Sequence, residues 1–484
     1  MSTAVRRDPT RRRTIASFIL TAVLAGGLAL NSATAEPAEA AVVSIANATQ
    51  FTDTAGSPVH AHGGGVVKSG SYYYWVGENR HNDNKFRYVS CYRSTDLKNW
   101  AFVSNILSQS SASELQSANI ERPKLMYNAS TDRYVLWMHK ENGTNYSEAR
   151  AAVAVSNTNA PCGSYTYRGS FRPLDHMSRD IGVFVDTDGA GYMYSAAREN
   201  YDLHIYRLTA DYTGIASLVA NPWPGGHREA PALFKRGSVY FMLTSGATGW
   251  SPNQQQYATA SSLAGPWTAM KNVGDSTAYG SQTTFVLPVQ GSSGTSYLYM
   301  GDRWGDSIGS NVNGSKYVWA PITFSNSTTM SFSYFAELQI DTAAGTISGQ
   351  GGSYQTVKAR HSGKCADITS ASGATGAQLK QWGCNGGSNQ AFWFKDAGGG
   401  YVNLVARHSN LCLQENASTV TQENCGTGTN QQWQVQTSGS YVQIQSRATG
   451  ECLDVNGAST ADGAAIITYT CNGATNQQWT RTAT

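Results

Sequence analysis

Three carboxylates stand at the head of apolar, β-rich runs: Glu121 in "IERPKLMY", Asp180 in "RDIGVFV" and Glu229 in "REAPALF". Two further runs of this kind open on "VHAHGGG", with His60 and His62, and on "QTTFVL", with Gln282. One acidic residue at a strand start is normally just solvated. Three at the same phase of a recurring pattern point into a shared mouth. The strands that follow end on Glu78, on Lys140 and Glu141, on Glu199 and Asn200, on Thr248, and on Asp302, Arg303 and Trp304. Antiparallel pairing returns those ends beside the openings. Acids, amides and aromatic rings crowning an apolar wall have the chemistry of a sugar pocket, where polar groups hold hydroxyls and ring faces stack on C–H surfaces.

Each opening run belongs to a hairpin, such as "AHGGGVVKSGSYYYWVGE" or "EAPALFKRGSVYFMLTSG", with Gly, Ser, Asp or Asn at its turn. The openings near residues 60, 121, 180, 229 and 282 recur at roughly 50 to 60 residues, the spacing of a propeller blade. Five repeats predict a five-bladed β-propeller over residues 41–349. From residue 350 to 484 small polar residues prevail and a second repeat begins: "GKCADI…QWGCNGGSNQAFWF", "NLCLQE…ENCGTGTNQQWQV" and "GECLDV…TYTCNGATNQQWTR".

Residues 1–40 read as a secretion signal. An arginine-rich head precedes an apolar run from Ile15 to Leu30 and the small-residue sites Ala33-Thr34-Ala35 and Ala38-Glu39-Ala40. That run is shorter than the ~20 residues of a membrane span. Arg12-Arg13 suits either export route. These forty residues hold five Arg against Asp8, Glu36 and Glu39, so the formal charge of +3 falls to +1 for the remainder. A nearly neutral chain without Lys/Arg clusters is suited to neither nucleic acid nor a membrane surface. All eight Cys lie beyond the leader, in a part expected to be secreted, where disulfides persist.

The C-terminal repeats, each closing on Gln-x-Trp or Gln-x-Phe, resemble the ricin-type β-trefoil lectin, also called carbohydrate-binding module family 13. Six Cys permit fifteen pairings; the resemblance implies Cys365 with Cys384, Cys412 with Cys425 and Cys452 with Cys471. Cys91 and Cys162 are left as a disulfide or as two buried thiols. The N-terminal part, through "RPKLMYN", "SRDIGVFVDTDG", "REAPALF" and "YRSTDLKNW", resembles glycoside hydrolase family 43. "AHGGG", "IERPK" and the attached lectin are most similar to its exo-β-1,3-galactanase group. The fold expected is therefore all-β, a five-bladed β-propeller followed by a β-trefoil.

The resemblance implies that Glu229 is the general acid and that Asp180 orients it or adjusts its pKa. Most of the family has a catalytic-base Asp at the first opening, where "VHAHGGG" has no acid. Glu121, with the ordinary chemistry of a base, and Gln282, through its imidic acid tautomer, both remain as acceptors of the water's proton in inverting hydrolysis. Glu78, Tyr146, Glu199, Asn200, Thr248 and Trp304 are the expected substrate contacts. The substrate implied is galactan or arabinogalactan, met by a secreted, extracellular monomer with no cofactor and no catalytic metal; a structural Ca²⁺ is left open. Competing readings are an α-L-arabinofuranosidase or β-xylosidase, a sialidase, which would need an arginine cluster, and a two-domain lectin without turnover.

Lectins of this type bind through an Asp after the first Cys, an aromatic before the second, and an Asn and Gln that brace the Asp. The first repeat supplies Asp367, Trp382, Asn385 and Gln390, and the third Asp454, Tyr469, Asn472 and Gln477. The second has Gln414 and Glu423 at the Asp and ring positions. Titrating residues 350–484 with galactose is expected to give about two sites, falling to one in Asp367→Ala and none when Asp454→Ala is added. Three equal sites would contradict this reading.

Overall fold

The computed structural model describes residues 42–305, 311–351 and 354–484, and the predicted leader lies outside them. Short apolar runs between Gly- and Asp-rich turns are too brief for helices, and regular structure among the described residues is strand with single 3-10 turns. Five four-stranded antiparallel sheets follow one another, each in simple up-and-down order. Their first strands are His62–Ser69, Asn119–Asn128, Ile181–Val185, Arg228–Arg236 and Gln282–Gly291. Each packs beside the next, and the fifth returns to the first. The circuit is fastened by Val43–Ala46, which pairs with Glu337–Asp341 from the far end of the ring. The Asn47 side chain locks that join, donating to Trp319 O at 2.6 Å and to Phe335 O at 2.8 Å. Between the fifth and first sheets Phe51, Trp75, Trp100, Tyr317 and Trp319 form a buried aromatic cluster; each such side chain removes about 150–250 Å² from water.

The mouth residues owe their direction to a repeated irregularity. In four of the five sheets one extra residue enters the first strand just after its opening, at His62/Gly65, Glu121/Lys124, Glu229/Ala232 and Thr283/Phe285. Such β-bulges bend the strand and re-aim a side chain. In three, the residue after the opening is left-handed: Gly63 at φ +61°, Arg122 at +51° and Ala230 at +52°. In the third sheet Asp180 directly precedes the strand, its carbonyl accepting from Ala196 N at 3.0 Å.

The C-terminal segment repeats a smaller unit three times around one core. Phe392, Trp433 and Trp479 are fully buried at equivalent positions, and the two indoles donate to Leu413 O and Leu453 O, each at 3.1 Å. Disulfides join Cys365 to Cys384, Cys412 to Cys425 and Cys452 to Cys471, within each repeat. Cys91 and Cys162 are also bonded, which staples the first sheet to the second.

Gly63 is where the bulge meets the mouth. A Cβ there would stand 2.3 Å from Glu78 Oε1, whereas at Gly70, a hairpin tip at φ +58°, it would meet nothing within 4 Å. Gly70→Ala is expected to cost only the left-handed strain, about 1–2 kcal/mol. Gly63→Ala is expected to cost more and to displace Glu78. Denaturation followed by Trp fluorescence checks the order; equal losses would show that the Glu78 approach does not matter.

Candidate active site

The bulged strand openings converge on a cavity of about 440 Å³ at one end of the ring, a size suited to a small sugar. It is lined by Glu121, Asp180, Glu229 and Gln282, and by Glu78, Tyr146, Glu199, Asn200 and Trp304 from the expected substrate contacts. The spacing pattern therefore led to residues from all five sheets that meet in one place.

Glu229 is 6% exposed and is held by neutral amides. Oε1 accepts from Gln282 Nε2 at 3.0 Å and Oε2 from Asn200 Nδ2 at 2.9 Å. Burial, then the negative charge of Asp180, push its carboxyl up to about 8, with Arg122 only partly opposing them. Asp180 accepts from Ala230 N at 3.0 Å, just after Glu229, and pairs with Arg122 Nε at 2.9 Å.

Glu121 lies in the opposite electrostatic setting. It takes hydrogen bonds from Arg80 Nη2 at 3.0 Å and Tyr146 Oη at 2.8 Å, and His139 Nδ1 stands 3.2 Å from its other oxygen. Burial alone would raise this carboxyl, but His139 and Arg80 outweigh it and hold Glu121 far below the carboxylate range. His139 itself is buried, which disfavours its charge, yet Glu121 and Glu141 lift it to about 9. It is an imidazolium at neutral pH. Glu78 pairs with Arg80 at 2.6 Å and accepts from Arg122 N at 2.8 Å, although burial leaves its carboxyl raised.

Gln282 has its orientation fixed by four partners. Its Nε2 donates to Glu229 and to Ser245 Oγ at 2.9 Å, while Oε1 accepts from Arg122 Nη2 at 2.5 Å and Trp304 Nε1 at 2.8 Å. Reversing the amide would set N–H groups against two obligate donors. Glu121, His139 and Asp180 approach metal-ligand spacing. Glu121 and Asp180 already pair with Arg80 and Arg122, and the His139 ring lies between Glu121 and Glu141, so the three groups stand here as parts of an ion-pair and hydrogen-bond network.

Thr248 departs from expectation. The strand ends at Gly246, and beyond it the period-two alternation lapses. Thr248 Oγ1 donates to Ser251 O at 2.7 Å and accepts from Asn253 at 2.6 Å, bracing the loop, while its neighbours Ala247, Gly249 and Trp250 face the cavity. The first-strand histidines also lie outside it: His62 is buried, stacked on Tyr317 and 3.3 Å from Asp302. Residues that sequence reasoning missed are Arg122, His139, Arg179, Tyr201 and Trp250. Trp250 packs edge-on to Trp304 with centroids 5.0 Å apart.

In the C-terminal segment Asp367 accepts from Gln390 Nε2 at 2.8 Å, and Asp454 from Gln477 Nε2 at 2.9 Å. The bracing Asn needs correction. Asn476, not Asn472, donates to Asp454 at 2.9 Å, and Asn389 holds the matching place beside Asp367. Asn385 and Asn472 accept from Gly387 N and Ala474 N and shape the turns, because they sit just after the Cys rather than beside the Gln. Asn385 still lines the hollow formed with Asp367 and Trp382. Trp382 and Tyr469 are 47% and 55% exposed, open for stacking. In the second repeat Gln431 bonds Gln414 instead.

A family profile described as glycosyl hydrolases family 43 matches residues 62–286, and one described as ricin-type beta-trefoil lectin domain matches residues 353–479. Comparison with curated proteins gave no match. An exo-β-1,3-galactanase from Clostridium thermocellum is 47% identical over 91% of this chain and 100% of that one, with a TM-score of 0.64. An exo-β-1,3-galactanase from Phanerochaete chrysosporium, as a Glu-to-Gln variant with β-1,3-galactotriose, is 30% identical over 80% of this chain and 91% of its own, TM-score 0.63. A β-1,3-galactosidase of the same family solved with galactodeoxynojirimycin is 32% identical over 60% and 99%, TM-score 0.56. With these carboxylates on this ring and a lectin domain behind it, the chain belongs to glycoside hydrolase family 43.

Proposed function

We propose that this protein hydrolyses β-1,3-galactan from chain ends with inversion, as a secreted, extracellular enzyme. The observation that carries the reading is a pair of acids at one mouth in opposite settings: Glu229, buried among amides beside Asp180, is pushed up to about 8, and Glu121, beside His139 and Arg80, is held well below the carboxylate range. Two carboxyl groups separated in this way divide into acid and anion. The similarity to exo-β-1,3-galactanases directs the choice of substrate. In this reading the five sheets are a five-bladed β-propeller, the domains divide at residues 349 and 350, and the enzyme acts as a monomer. Four disulfides accord with an oxidising compartment.

Glu229 gives its proton to the leaving oxygen, and Asp180 holds the acid's strand through Ala230 N while raising its pKa. Tyr146, Tyr201, Trp250 and Trp304 offer ring surface to the sugar. Activity is expected to fall as pH rises through about 8. The same shift sets a stability trend. Between the ordinary carboxylate range and that value the folded protein keeps a proton the unfolded chain has lost, so stability declines as pH rises across the window. Glu229→Gln is expected to slow galactan hydrolysis by ~10²–10⁴ and to remove the alkaline limb, with far less effect on an aryl galactoside whose leaving group needs no proton. Comparable losses on both substrates would refute the assignment.

Glu121 is the base in this proposal, its carboxylate favoured by His139 and Arg80 and sharing no hydrogen bond with the acid. Gln282 touches Glu229 at 3.0 Å, whereas inversion leaves about 6.5–9.5 Å between acid and base for the water. One observation favours Gln282 as a second reading. Two donors, Arg80 and Tyr146, with the His139 ring 3.2 Å away, make Glu121 a feeble proton acceptor. Glu121→Gln is expected to abolish turnover, with azide restoring it as an adduct of inverted configuration. Full activity in Gln282→Ala would remove Gln282 from the mechanism. Loss in Gln282→Ala, with Glu121→Gln still active, would transfer the role to it.

A further inference from the structure

A cleft of about 810 Å³ separates the loops of the fourth and fifth sheets from the lectin domain. Pro252, Ser276 and Arg303 form one wall; Ser370, Ala371 and His408 form the other. At one end it shares Ser370 and Ala371 with the hollow of Asp367 and Trp382. Toward the catalytic cavity the two linings are linked along the chain. Trp250 lines the cavity and Pro252 the cleft; Trp304 lines the cavity and Arg303 the cleft. The cleft thus joins the Asp367 and Trp382 hollow through shared residues and the Glu229 cavity through chain neighbours.

The spacing between them is fixed by the join. Arg303 Nη1 donates to His408 O at 2.7 Å, Lys316 Nζ to Gly373 O at 3.2 Å, and Asn410 Nδ2 to Asn47 O and Ala336 O. Arg303 also donates to Tyr279 O at 2.8 Å. The cleft is lined by small hydroxyl-bearing residues such as Ser276 and Ser370 together with Asp275 and Arg407, hydrogen-bonding groups of both signs that suit a chain rich in hydroxyls.

We propose that the cleft carries the uncleaved part of the polysaccharide. A chain whose end residue lies beside Glu229 passes along it and sets a later residue on Trp382 against Asp367, which makes the first lectin repeat a distant subsite of the catalytic pocket. The third repeat, with Asp454 and Tyr469, does not border the cleft and binds independently. This inference rests on the β-1,3-galactan reading.

The test uses the full chain and compares kcat/KM for long β-1,3-galacto-oligosaccharides with that for the disaccharide. Ser276→Trp, which fills the cleft from an exposed position, and Asp367→Ala are each expected to lower the long-to-short ratio about tenfold through KM, as loss of a second linked contact does. Ser293→Trp, at the opposite end of the fifth sheet's first hairpin, is expected to leave the ratio where it was. An unchanged ratio in Ser276→Trp, or an equal fall in Asp454→Ala, would overturn the track while disaccharide turnover upheld the activity. Absence of turnover on every galacto-oligosaccharide would sink the galactan reading, and the track with it.

Discussion

The Arg122 guanidinium, 4% exposed, is bonded on three sides: to Asp180 at 2.9 Å, to Gln282 at 2.5 Å and to Thr283 O at 3.0 Å. Its backbone N–H holds Glu78, and its plane lies 5.7 Å from the Trp304 ring. One residue from the second sheet therefore sets residues from the first, through its backbone, and from the third and fifth, through its side chain. A cation buried this deeply is tolerated only when its donors are met, and loss of a partner from such a network typically costs about 3–5 kcal/mol. Glu78, Asp180 and Gln282 thus share one buried partner.

The acid's tuning is a consequence of where the cations go. Arg80 and the His139 imidazolium face Glu78 and Glu121; Arg122 is taken up by Asp180 and Gln282. Glu229 is left with amides, in a buried setting with the Asp180 charge nearby. Neutral donors stabilise its anion less than a cation would, and desolvation favours its proton. Two carboxyls of one chemical type are thus given different charges by the distribution of three cations.

Much of this was legible because it is periodic. The openings at Glu121, Asp180, Glu229 and Gln282 share a phase that a strand period of two and a blade-length repeat make visible, as do the Cys and Gln-x-Trp markers of the lectin domain. What stayed hidden breaks the period. Arg122 follows Glu121 directly and should point away from it; only the left-handed bulge turns it inward, and no residue type announces a bulge at an arginine. His139 sits within an apolar strand and reads as core. Trp250 and Thr248 lie past the strand end, where alternation no longer says which side chain faces the cavity. Asn389 was passed over for Asn385 because the bracing distance depends on how the 3-10 turn at Ser388–Gln390 folds back, not on distance along the chain.

The rigid join gives the lectin domain a different physical role from a tethered one. A flexible linker supplies an effective concentration that depends on its length and tolerates many arrangements of the two sites. Here Arg303, Lys316 and Asn410 fix one arrangement, so a chain either spans the two sites in its relaxed shape or gains nothing from the second. The same segment connects that join to the chemistry. Asp302 accepts from Gly63 N at 2.6 Å, Arg303 reaches the lectin backbone, and Trp304 holds the amide that holds Glu229. Three successive residues at the end of one strand therefore tie the first sheet, the lectin domain and the acid to a common frame.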